Sequence, residues 1–145
     1  MFKKVLIAED FDSINIAVKQ TLESLGVEEI QDAKYCDDAL LKFKKAKQDN
    51  QPFDLLISDL SFVADYRKVV ISSGEILIEA IRNLQPELNV IVYSVEDKAY
   101  IIKTLFEKQK VNAFVHKGRN SISQLKTAIE TLLYGKTFIS PELAH

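Results

Sequence analysis

The chain has 145 residues, 47% hydrophobic and 28% charged, with a formal net charge of −2. That length suits one domain able to bury roughly two-thirds of its unfolded surface, and the composition excludes a disordered segment. The charge gives no electrostatic case for nucleic-acid binding by this segment alone, and a lone cysteine, Cys36, excludes an internal disulfide and suits a reducing compartment.

The first apolar run, 5–8, is interrupted by Glu9 and Asp10. It is too short for a secretory signal or a membrane span, so a cytoplasmic protein is expected. Helical spacing follows at Ile14, Val18, Leu22 and Leu25, starting near Asp12 or Ser13 and stopping at Gly26. A weaker run covers 27–33, and Ala39, Leu40, Phe43 and Ala46 predict a second helix from Asp37. The third run, 55–57, leads through Ser58 into Asp59. A long connection at 60–72 comes next, where short loops are the norm. Leu77, Ala80, Ile81 and Leu84 then predict a helix between Ser72 or Ser73 and Pro86. Run 90–93 ends at Ser94, and a helix carrying Ala99, Ile102, Leu105 and Phe106 is expected from Glu96 or Asp97. Run 113–115 passes through His116 to Lys117, and Ile122, Leu125, Ala128, Ile129 and Leu132 predict a last helix between Ser121 and Gly135. Residues 136–145 have no strand to join and predict a linker or tail. This alternation predicts right-handed βαβ units: a parallel α/β sheet with helices on both faces.

Glu9, Asp10, Asp59, Ser94 and Lys117 thus end four apolar runs. Strands buried in a parallel sheet carry few charges, so polar groups at their C-terminal ends collect where open α/β sheets bind ligands. Glu9, Asp10 and Asp59 offer hard oxygens suited to Mg²⁺, and a divalent cation relieves their mutual repulsion. Asp59 then suits nucleophilic attack on a phosphoryl group, forming an acyl phosphate. Lys117 supplies a point charge to the phosphoryl oxygens and Ser94 a hydrogen bond. Some −1.5 to −2 charges added at Asp59 would draw Ser94 inward and repack the loop and helix behind it.

Singly, each residue has a plainer reading. Glu9-Asp10 suits a solvated strand end, Asp59 a cap, Ser94 an N-cap with Asp97 as partner, and Lys117 a surface cation. Their shared position at one end of different strands is what predicts a site. His116 reads as a core-edge or exposed histidine, not a zinc ligand, and Cys36 as an inert thiol. Tyr100 and Ile101 widen the apolar face of helix 99–106, a candidate dimer surface for which core packing is the plainer explanation.

In this order and spacing, these residues resemble the receiver domain of two-component response regulators (CheY-like) over about 1–135. The resemblance implies a (βα)5 flavodoxin-like fold: a doubly wound, five-stranded parallel sheet in a three-layer sandwich. It implies that Asp59 is the phospho-acceptor, Asp10 a direct Mg²⁺ ligand, Glu9 a ligand through water, and the Ser61 carbonyl a further ligand. Ser94 and Lys117 would bind the phosphoryl group, and Phe114 occupies the switch aromatic position. Leu60-Ser61 and the segment from Gly135 to Leu143 look more like the NarL/FixJ subgroup, where such a segment leads into a LuxR-type helix-turn-helix output domain. The resemblance implies a sensor histidine kinase as partner, a homodimer on phosphorylation, and DNA contact only through an output domain not present in this chain. It implies no membrane partner and no metabolic enzyme, only self-catalysed phosphotransfer and autodephosphorylation.

The chain departs from the family at four points. Phe62-Val63 replaces Met-Pro, Gly74 comes later after Asp59 than the usual glycine, and Gly118 replaces proline after Lys117. Val95 replaces a small residue and is expected to narrow access to Asp59. Val95 and the 60–72 connection motivate an alternative, an atypical receiver acting through protein–protein contacts without phosphorylation. A small metal-dependent phosphatase generally wants a second Asp where Ser61 stands, and is disfavoured.

Overall fold

The computed structural model describes residues 1–62 and 73–143. Five strand–helix units run in order: β1 (Lys4–Ala8), α1 (Asp12–Ser24), β2 (Glu29–Ala33), α2 (Cys36–Gln48), β3 (Leu55–Ser58), α3 (Gly74–Leu84), β4 (Asn89–Ser94), α4 (Ala99–Lys108), β5 (Ala113–His116) and α5 (Ser121–Leu133). Strand β6 (Phe138–Ile139) and a 3-10 turn, Pro141–Leu143, complete the described chain.

All strands pair in parallel, in the order β2-β1-β3-β4-β5-β6. Because side chains alternate faces along a strand, each run feeds two cores. Leu6, Leu56, Val90, Val92 and Phe114 pack with Phe43 of α2, Leu77 and Ile81 of α3, and Ile102 and Leu105 of α4. Val5, Ile7, Leu55, Ile57, Ile91 and Val115 pack with Val18 and Leu22 of α1 and Leu125 and Ile129 of α5. Two covered faces explain why these runs are apolar throughout, without alternation. Strand β2 lies at the sheet edge and is only partly buried, which is why its run is weaker.

The glycine stops behave as expected. Gly26 and Gly135 close α1 and α5 at φ +89° and +75°, the left-handed region where glycine carries no Cβ penalty. Ser73 caps α3 by accepting from the Ile76 N–H at 3.3 Å. Helix α4 begins later than Glu96 or Asp97, because the Glu96 carboxylate accepts the N–H groups of Asp97 and Lys98 (3.1 and 3.2 Å) and holds a turn there. On α4, Ile101 and Phe106 are half-buried against the core, whereas Tyr100 is 68% exposed.

The tail departs from its expected form. Phe138–Ile139 joins the sheet beside β5, with the Phe138 N–H donating to Asn112 O (3.1 Å) and the Ser140 N–H to Phe114 O (3.0 Å). Two residues give no readable strand periodicity, but β5 would otherwise present an unpaired edge, and β6 satisfies it. Of the long connection, residues 63–72 lie outside the described ones, as do 144 and 145 of the tail. No helix among the described residues is long and apolar enough to cross a membrane.

At the end of the sheet away from the strand-end acids, Arg82 of α3 ties two loops together, the one that follows α3 and the one that follows α4. Its guanidinium donates to the carbonyls of Pro86 (2.8 Å), Leu88 (2.5 Å), Gln109 (3.1 Å) and Lys110 (3.0 Å). Replacing it by Met leaves the carbonyls of the two part-buried bonds, those of Leu88 and Gln109, without their charged donor. Arg82→Met is expected to lower the unfolding free energy by about 2–3 kcal/mol in urea titrations, with an unchanged m-value.

Candidate functional site

Three backbone bonds beyond the strands bring the strand-end residues to one edge. Glu9 N–H donates to Ala33 O (3.0 Å), Asp59 N–H to Ala8 O (3.0 Å) and Lys117 N–H to Ser94 O (2.8 Å). Glu9 and Asp59 follow β1 and β3, which are neighbours, although their connections depart to opposite sides. This is the topological switch point, where a crevice opens in doubly wound sheets. Asn15 of α1 is buried and donates its amide to Glu9 O at 2.6 Å, which fixes the turn after β1.

Within this frame the Lys117 ammonium lies between two buried carboxylates. Nζ is 2.7 Å from Asp59 Oδ2 and 3.1 and 3.0 Å from the two oxygens of Glu9. It also stands over the Tyr93 ring, 5.6 Å from the centroid. Asp59 Oδ1 accepts from the Leu60 N–H at 2.7 Å and faces the Ser61 N–H at 3.4 Å, so the carboxylate plane is held from both sides. One oxygen each from Glu9, Asp10 and Asp59 lies within 4.8 Å of the others.

The electrostatics follow from burial. Glu9 is pushed up to about 7, first by desolvation, with the Asp59 charge adding and Lys117 opposing. Burial pulls the Lys117 ammonium down, but the hydrogen bond and charge of Asp59, together with those of Glu9, outweigh it and leave its pKa raised. Three carboxylates facing one ammonium form a net acidic cluster of hard oxygens. That donor set fits Mg²⁺, which takes one or two protein carboxylates and keeps several waters.

The other predicted residues surround this centre. Ser94 is buried, and its Oγ accepts from the Glu96 N–H at 3.1 Å, which leaves the hydroxyl hydrogen free to donate elsewhere. Ser61 is exposed beside Asp59. Val95 stands at the rim, 65% exposed. Phe114 is fully buried in the core cluster that contains Ile102 and Leu105 of α4. Cys36 is buried and its thiol is pushed up to about 12 by desolvation, aided by the charges of Asp37, Asp10 and Asp59, which keeps it inert. His116 is a half-buried residue at the edge of β5.

In the sequence Gly74 stands out only for coming late after Asp59. A Cβ built there meets Asp59 O at 1.9 Å and Leu60 Cα at 2.7 Å, and the Gly74 N–H donates to Leu60 O at 3.0 Å. The chain leaves the site at Leu60 and returns to the same place at Gly74, so the start of α3 supports the backbone of Asp59. Spacing does not reveal Asn15, because a side-chain amide bonding the carbonyl at the end of the preceding strand leaves no period in the sequence.

No protein-family model and no curated protein matches the chain. Solved structures do. The isolated receiver domain of RcsB from Salmonella enterica serovar Typhimurium, in the presence of a beryllofluoride phosphomimetic, aligns with a TM-score of 0.78 at 23% identity, over 98% of this chain and 96% of that one. A LuxR-family two-component response regulator from an Aurantimonas species gives 0.81 at 16% identity, over 99% and 94%. Salmonella RcsB bound to a promoter gives 0.78 at 22%, over 98% of this chain but 64% of that one, so this chain spans about two-thirds of the longer regulator. What is shared at these identities is the fold, the flavodoxin-like arrangement of receiver domains.

Two outcomes follow from the geometry. Gly74→Ala forces backbone against backbone and is expected to cost about 3 kcal/mol of stability in urea unfolding. In metal-free protein the folded state holds the Glu9 proton more tightly than the unfolded chain does. The resulting stabilisation is fully present below pH 4.5 and lost as pH rises towards 7. Stability of the parent relative to Glu9→Gln should therefore fall across that interval, as urea titrations at several pH values will show.

Proposed function

We propose that this chain is the receiver domain of a response regulator, with Asp59 accepting a phosphoryl group from a phosphohistidine of a sensor histidine kinase. The observation that carries this reading is the ion triad of the buried Glu9 and Asp59 with the part-buried Lys117, set within a three-carboxylate cluster at the sheet switch point.

Asp59 Oδ1 is engaged by the Leu60 N–H, whereas Oδ2 faces the Lys117 ammonium. Oδ2 is therefore the attacking oxygen. Its bond to phosphorus forms as the phosphorus–nitrogen bond of the donor breaks, the electron pair leaving on the imidazole nitrogen. Lys117 is already beside Oδ2 and stays with the transferred oxygens as charge arrives, and Ser94 turns its free hydroxyl hydrogen towards one of them. Glu9, Asp10, Asp59 and the Ser61 carbonyl would hold Mg²⁺, which when bound neutralises charge on the phosphoryl group. Val95 at the rim limits access of donors and of the water that returns Asp59 to its free state. Phosphorylation favours a homodimer, and the segment from Gly135 onward leads towards an output domain of transcription-factor type, through which any DNA contact is made. A cytoplasmic site of action suits the kinase as donor.

Incubation with Mg²⁺ and acetyl phosphate should add one phosphoryl group by intact-mass spectrometry, and chelation should abolish the addition. Lys117→Ala should slow uptake by about a hundredfold. Equal uptake by Asp59→Asn would overturn the assignment, and a folded parent that takes up nothing would favour the phosphorylation-independent alternative.

A further inference from the structure

His116 precedes Lys117, and its ring stands between two segments that are far apart in sequence. On one side Nε2 lies 3.2 Å from Val95 O, in the loop that begins at Ser94. On the other, Nδ1 lies 3.7 Å from Glu142 Oε2 in the C-terminal turn. The His116 N–H donates to Ser140 Oγ at 2.8 Å, and that buried hydroxyl donates in turn to Gln124 Oε1 on α5. Gln124 Nε2 also donates to Glu142 Oε1 at 2.9 Å, which holds the carboxylate in place opposite the ring.

The Val95 carbonyl can only accept, so Nε2 carries the hydrogen and the neutral ring presents a lone pair at Nδ1. A lone pair facing a carboxylate makes no hydrogen bond, and 3.7 Å is too long for one. The ring is thus committed to Val95 while a stronger, charged acceptor waits on its other side. Val95 is bonded directly to Ser94, so a Ser94 drawn towards a phosphoryl group carries the Val95 carbonyl with it. The ring then loses one acceptor and has the other within reach after a small shift and a change of tautomer.

We propose that His116 is a positioning residue that exchanges its hydrogen bond from Val95 O to Glu142 when Asp59 is occupied, and so tightens the C-terminal segment 138–143 on the sheet edge. This rests on the reading of Asp59 as phospho-acceptor. It gives the β6 segment a role as the element that registers the state of the site.

The test uses the full chain carrying His145→Ala, which leaves one imidazole of the two, at about pH 8 where a histidine is neutral. Mg²⁺ and beryllofluoride are added, and fluorine NMR reports occupation of Asp59. Nitrogen NMR of the ring should show the Nε2–H tautomer before addition and Nδ1–H after. Exchange of the Ser140 and Leu143 amides should slow by roughly three- to tenfold, the effect of one hydrogen bond on a local opening. Glu142→Ala should abolish both changes with fluoride still bound, and Glu142→Gln, which keeps an acceptor, should restore them in part. Bound fluoride with an unchanged tautomer and unchanged exchange overturns the coupling alone. Absence of bound fluoride overturns the phospho-acceptor reading and the coupling together.

Discussion

The Lys117 ammonium, shared between Asp59 and Glu9, is the contact on which the site depends. Two buried carboxylates side by side repel each other and lose hydration, and either alone would be driven towards its neutral form. One cation hydrogen-bonded to both offsets part of that cost, although the Glu9 carboxyl remains raised. The same contact joins the ends of β1, β3 and β5, which lie apart in sequence and belong to three separate strand–helix units.

An ion triad of this kind is poor evidence for stability, because desolvation consumes most of the attraction. Its value is positional. The two apolar layers, one under α2, α3 and α4 and the other under α1 and α5, supply the stability that lets a charged cluster persist at the sheet edge. Gly74 and Asn15 then set backbone positions to within hydrogen-bond tolerance, the former by allowing α3 to start against Asp59 O, the latter by bonding Glu9 O. At the opposite end, Arg82 closes the loops with four carbonyl contacts, so the two ends of the sheet divide the labour between rigidity and chemistry.

Lys117 holding Asp59 in this way places the cation proposed to bind the phosphoryl group beside the proposed nucleophile before any donor arrives. Preorganisation of that sort means that charge developing on transferred oxygens meets a cation that need not move. The branch of the structure least occupied by this chemistry is the β5 edge, where β6, Ser140 and Glu142 gather around His116. It is also the point at which the Ser94 loop and the C-terminal segment come closest to a common residue.

The five strands and five helices were legible in the chain because each is a local pattern: apolar runs of a few residues, helical spacing between them, and glycine or proline at the stops. The acids, Ser94 and Lys117 were legible for a related reason, since a strand that is covered on both faces can carry polar groups only at its ends. The contacts that join them were not. Spacing along the chain could not say that Lys117 reaches both Glu9 and Asp59, that Gly74 lies against Asp59 after a long connection, or that Asn15 secures the turn at Glu9. It also left Phe138–Ile139 without a partner, because a two-residue strand exists only when a neighbouring edge offers its unpaired backbone groups. Local pattern determined the elements and the residues at their ends; the packing of the sheet decided which of those ends meet, because hydrogen bonds and ion pairs act through space over a few ångströms and leave no period in the sequence.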